Sequence, residues 1–70
     1  MRTQIIYISK HQGQWMVRRF GKALAVQERV ESAIETGRRI AYSAARCGVP
    51  AELRLLFPGQ PYKVEAVYGQ

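Results

Sequence analysis

The stretch Arg29–Cys47, RVESAIETGRRIAYSAARC, limits the fold more than any other part of the chain. Apolar or small residues recur at Val30, Ala33, Ile34, Gly37, Ile40, Ala41, Ala44 and Cys47. Steps of three and four place them on one stripe of an α-helix. Glu31, Glu35, Arg38, Arg39, Tyr42 and Arg46 fall on the opposite side. Glu35 precedes Arg38 and Arg39 in the favourable order for exposed pairs, each worth about 0.2–0.5 kcal/mol. Acids lie early and arginines late, as the helix dipole prefers. Gly48 suits a left-handed cap, and Pro50 blocks continuation. Ser32 with Glu35 reads as a capping box, while Glu28 and Glu31 also suit a first turn, so the start is expected between Glu28 and Ser32. A stripe of small residues lets the helix lie close to whatever it covers. Gly37, which weakens a helix by up to about 1 kcal/mol relative to alanine, predicts a close neighbour at that point.

The rest of the chain reads as short strands that need such a cover. Gln4–Lys10 is strand-like, and His11–Gln14 is a turn with Gly13 free to take positive φ. Trp15–Phe20 is a second strand, Gly21-Lys22 a two-residue turn with glycine first, and Ala23–Gln27 a weaker third strand. After the helix, Glu52–Phe57 and Tyr62–Tyr68 are strands separated by the turn pair Pro58-Gly59. The expected fold is α+β in the order β-β-β-α-β-β. A small antiparallel sheet of four or five strands would carry one helix on one face. With 70 residues the chain is expected to form a single domain, 1–70.

Alternation splits each strand into two faces. The core expected under the helix is Ile6, Ile8, Trp15, Val17, Leu53, Leu55, Val64 and Ala66. One helix covers one face, so a mixed second face remains, with Tyr7, Met16, Arg18, Phe20, Arg54, Leu56, Lys63 and Val67 on it.

A chain this short buries only about 60% of its unfolded surface, and such domains often gain stability from disulfides, metals or oligomerisation. The single cysteine, Cys47, allows no internal disulfide, and no second Cys or His lies near it for zinc. At the end of the helix stripe it is expected to be buried and unreactive. His11, the only histidine, stands in a turn with no Cys, Asp or Glu beside it, which fits a surface residue. No serine or threonine has a partner base in a motif, no acids are paired, and no Gly-rich phosphate loop is present. The expectation is a non-enzyme with no catalytic residue, metal, cofactor or small-molecule substrate. The apolar part of MRTQIIYIS is too short for a signal sequence or a membrane span, so a reducing cytoplasm is expected and no membrane partner.

Net charge is +6, with eight arginines against three lysines, a balance that favours a polyanion such as nucleic acid. Arg18, Arg19 and Lys22 form the densest basic cluster, interleaved with Trp15 and Phe20. Lys10, Arg54 and Lys63 would extend it if they share a face. These six residues are the expected nucleic-acid contacts, made mainly to phosphate with aromatic support. Arg38, Arg39 and Arg46 read instead as a solvated helix face. The competing expectation is a homodimerising or protein-interaction domain with neither nucleic-acid nor catalytic role, using Ile5, Tyr7, Met16, Phe20, Leu56 and Val67.

The segment Gly13–Val17, GQWMV, is followed by Arg18-Arg19, a strand, an alanine-rich helix and a final strand reaching Tyr68-Gly69. This pattern resembles a small bacterial domain family of unknown function, over nearly the whole chain. Two places depart from it: VQERVES lacks the family's Phe-x-Thr helix entry, and Phe57-Pro58-Gly59-Gln60-Pro61 replaces its Asp-Gly turn. The resemblance implies the same fold and no particular activity. Gln14–Arg19 is also similar to the arginine- and tryptophan-bearing strand of plant AP2 domains and phage integrase arm-binding domains. Those put a three-stranded sheet before a helix and read DNA with the sheet; the two C-terminal strands here depart from their plan.

Overall fold

The computed structural model describes residues 2–69; Met1 and Gln70, the ends of the expected domain, lie outside the described residues. Its elements are β1 (Gln4–His11), β2 (Gln14–Arg19), β3 (Lys22–Gln27), α1 (Val30–Arg46), β4 (Ala51–Leu56) and β5 (Lys63–Tyr68). The strands form one sheet in the order β3-β2-β1-β4-β5. The α+β class, the element order and the single covering helix are as the sequence predicts. The sheet is mixed rather than antiparallel, because β1 and β4 run parallel while the other neighbours run antiparallel. A parallel pair cannot be closed by a hairpin and needs a crossover; α1 lies in that connection.

Both early hairpins turn on two residues. Gln12 and Gly13 have φ 52° and 79°, and Phe20 and Gly21 have φ 53° and 76°. Positive φ at both central positions is the requirement of a type I′ turn. The second turn is therefore Phe20-Gly21, with glycine second, and not Gly21-Lys22. Phe20 is drawn out of strand β2 by this shift.

Helix α1 begins after Arg29, whose backbone is extended and whose side chain makes no capping bond. Ser32 lies inside the first turn, so the expected capping box does not form; the backbone N–H of Ala33 donates to the Arg29 carbonyl at 3.1 Å. The other end is a complete Schellman motif. Gly48, with φ 87°, donates to the Ala45 carbonyl at 3.0 Å, and the Val49 N–H donates to that of Ala44 at 2.9 Å. Cys47 is the C-cap and is exposed, not buried as expected.

The core is Ile6, Ile8, Val17, Ala33, Ala41, Ala51, Leu53 and Leu55, with Gly37 also buried. Trp15 and Phe57 meet edge to face at 5.9 Å at one end, and Tyr42 and Tyr68 at 6.2 Å at the other. Of the expected core only Val64 is elsewhere: it is 45% exposed. Between Leu53 and Arg54 the β4–β5 register slips, so that Leu53 faces Ala66 and Arg54 faces Val64. The bulge turns Val64 to the face opposite Ala66. A similar slip in β2–β3 pairs Val17 with Ala25 but Arg18 with Ala23.

A Cβ placed on Gly37 would lie 2.7 Å from Leu53 Cδ1 and 3.2 Å from Ile8 Cδ1. Both side chains are fully buried. Overpacking a core of this kind costs about 1–3 kcal/mol, against a helix gain of at most about 1. Gly37→Ala is expected to lower stability by about 1 kcal/mol net in urea unfolding. A rise in stability would show that Leu53 has room to swing aside.

Candidate nucleic-acid interface

The helix leaves one sheet face uncovered, and strand register fixes what stands on it. Arg18 faces Tyr7, Tyr7 faces Arg54, and Arg54 faces Val64, a row across β2, β1, β4 and β5. On one side of it run Val26, Met16, Ser9 and Leu56; on the other run Ile5, Glu52 and Val67.

Arg54 is the hub of this face. Its Nε donates to Glu52 Oε2, and its Nη1 donates to Tyr7 Oη at 3.4 Å. Glu52 and Arg54 sit two apart on one strand, so alternation puts both on the same face. The hydrogen bond that Arg54 donates to Glu52 raises the Arg54 pKa above its ordinary value, aided by the negative field of the same carboxylate and opposed by desolvation. The guanidinium carbon lies 4.2 Å from the Tyr62 ring centroid and 5.9 Å from that of Tyr7. Arg54 is thus held between a carboxylate and two aromatic rings, and most of its charge is spent inside the fold.

Arg18 is different. It is exposed, and one of its N–H groups donates to the Gly21 carbonyl at 3.3 Å. No ion pair among the described residues involves it. A guanidinium carries five donors, so most of its donors face outward. Between Arg18, Tyr7, Ser9, Gly21 and Leu56 the surface dips into a shallow depression of about 350 Å³.

The six expected contact residues do not share a face. Arg18 and Arg54 stand on the open face. Arg19 is paired with Ile6, Lys10 with Trp15, and Lys63 with Leu55, all on the helix side of the sheet. Lys22 pairs with Arg19 and shares that side. Lys10 lies 5.9 Å from the Trp15 ring, and Arg19 reaches Gln4 Oε1 at 3.5 Å. Arg19 also lines a groove of about 500 Å³ beside α1, with Leu24, Arg39, Ile40 and Val49. The basic surface is therefore distributed around the domain rather than gathered in one stripe.

Of the expected interaction residues, Ile5, Tyr7, Met16, Leu56 and Val67 do share the open face. Phe20 does not: it is 74% exposed at the hairpin tip, with the Arg19 guanidinium 5.7 Å from its ring. Tyr62, Val64 and Val26 belong to this surface and were not expected on it. The two bulges, which no residue pattern announces, place Val64 and set the phase of β3. On the helix, Arg39 pairs with Glu35 at 3.2 Å and Arg38 with Glu65 of β5 at 3.3 Å, consistent with a solvated face. Arg46 packs 5.9 Å from the Tyr42 ring. Among the described residues no group of three or more His, Cys, Asp or Glu side chains could hold a metal, and no helix is long and apolar enough to cross a membrane.

No protein-family model matches the chain, and neither do the curated proteins or solved structures offer a match. The site must be read from its own chemistry.

The Glu52–Arg54 pair is mostly shielded, with side chains 19% and 22% exposed. Removing one partner leaves the other charge poorly compensated. Glu52→Gln should therefore lower the midpoint of urea unfolding. Glu52→Leu combined with Arg54→Met should recover most of the loss, since apolar replacement of both partners is often neutral. A double variant as unstable as Glu52→Gln would contradict this view of the pair.

Proposed function

We propose that this domain is a weak nucleic-acid-binding module that docks the sugar–phosphate backbone on the sheet face left open by α1. The observation that carries the reading is the row Arg18–Tyr7–Arg54 on that face, flanked by Tyr62. It offers an outward guanidinium for phosphate beside aromatic surface. Net charge supports it: eleven Lys and Arg stand against five acids, which leaves +6 and a positive outward field. With so few cations on one face, the affinity is set by a small number of phosphate contacts and falls with salt accordingly. No catalytic step belongs to this reading, and a cytoplasmic setting is compatible with the free thiol at Cys47.

A second reading has its own observation. Ile5, Met16, Val26, Leu56, Val64 and Val67 form an apolar surface that none of the described elements covers. Packing that face against a second copy would make a two-fold dimer with no nucleic-acid role. Sedimentation distinguishes the two: a monomer at high micromolar concentration removes the dimer.

Arg18 and Arg19 provide the sharper test, because adjacent strand positions point to opposite faces. Arg18→Glu and Arg19→Glu change net charge equally. On DNA-cellulose at low salt, Arg18→Glu should elute much earlier than wild type and Arg19→Glu only slightly earlier, with both melting as wild type does. Equal shifts would reduce the effect to net charge and sink the face assignment.

A further inference from the structure

We infer that the open face takes a single strand rather than a duplex, with one base stacked on Tyr62; the inference rests on the nucleic-acid reading above. A duplex hides its bases and offers a protein mainly phosphates. Among the described residues the open face holds one arginine outside an internal ion pair, Arg18, because Arg54 is held by Glu52. Phosphate neutralisation alone therefore has little to work with here. What the face has in quantity is apolar and aromatic surface, which suits the π-faces of unpaired bases.

Tyr62 is built for that role. It precedes β5, outside the hydrogen-bonded strand, and is 48% exposed. One side of its ring rests against the Arg54 guanidinium at 4.2 Å. Arg54 is in turn fixed by Glu52 and by the Tyr7 hydroxyl. The ring is thus oriented before any ligand arrives, which lowers the ordering cost of a stack. Arg54 acts as a positioning residue beneath the ring and not as a phosphate ligand. The depression bounded by Tyr7, Ser9, Arg18, Gly21 and Leu56 opens on the same face. It offers the neighbouring nucleotide a hydroxyl at Ser9 and a guanidinium at Arg18. The face thus sets a phosphate donor beside a base platform.

The test is fluorescence anisotropy with short labelled DNA and RNA single strands and their matching duplexes, at two salt concentrations. The proteins are wild type, Tyr62→Leu and Tyr62→Phe. Leucine keeps apolar bulk without a π-face, and at this exposed position outside the strands both variants should melt as wild type does. The expected result is tighter binding of single strand than of duplex in the DNA or the RNA series. Tyr62→Leu should weaken single-strand binding roughly tenfold, with the salt slope unchanged, and leave duplex binding as it was. Tyr62→Phe should match wild type. Duplex binding as tight as single-strand binding, with Tyr62→Leu unaffected, would overturn the inference while leaving phosphate docking intact. No binding of any oligonucleotide at low salt would overturn both.

Discussion

The close approach of α1 to the central strands at Gly37 is the constraint on which the rest depends. There is no side chain between the helix backbone and the methyl groups of Leu53 and Ile8. Ala33 and Ala41, one turn to either side, are fully buried and equally small. A helix that presents only small residues can sit low over a sheet, and its contribution to the core is coverage rather than volume. The volume comes from Ile6, Ile8, Val17, Leu53 and Leu55 on the strands. β1 and β4, whose Ile8 and Leu53 lie beneath Gly37, are neighbours and run parallel. The connection between them has to climb over the sheet, and the small stripe is what lets it do so without a gap.

A single helix has a second consequence. It can dry only one side of a five-stranded sheet. The other side must be charged, covered, or used. Here it is partly charged and partly apolar, and its charges are arranged with care. Glu52 and Arg54 neutralise each other at the centre, while Arg18 near the end of β2 is exposed and makes no ion pair among the described residues. The two bulges set which residues join this surface. Without the slip beside Leu53, Val64 would lie under the helix, as simple alternation predicts. Bulges also twist the sheet edges, which discourages pairing with other chains.

The architecture was legible wherever a single physical signal dominated. Helix α1 follows from the spacing of Val30, Ala33, Gly37 and Ala41, and its end from Gly48. The hairpins follow from Gly13 and Gly21, although Phe20 in a left-handed conformation could not be foreseen, since bulky residues rarely adopt it. The capping box at Ser32 failed because Ser32 already lies inside the helix, which began two residues earlier. Strand direction was not legible, because nothing local in Gln4–His11 encodes whether Ala51–Leu56 runs beside it or against it. The site was legible by half. Alternation grouped Ile5, Tyr7, Met16 and Leu56 correctly, but Arg18 and Arg19 were expected to act together although they stand on opposite faces. It put Val64 under the helix and Lys63 on the open face, and a bulge exchanges them. The Glu52–Arg54 pairing was within reach, since residues two apart on a strand share a face. The burial of Cys47 was wrongly expected because periodicity says nothing about where the sheet beneath the helix ends.

The account makes the open face the working surface of the domain and the helix its structural cover. Amide chemical-shift mapping during titration with an unlabelled single-stranded oligonucleotide tests this most directly. The account predicts shifts concentrated at Tyr7, Ser9, Arg18, Arg54, Leu56 and Tyr62, with the outer side of α1 around Glu35, Arg39 and Arg46 left in place. Shifts confined to α1, or to the groove between Arg19 and Arg39, would contradict it and move the function of the domain to its other side.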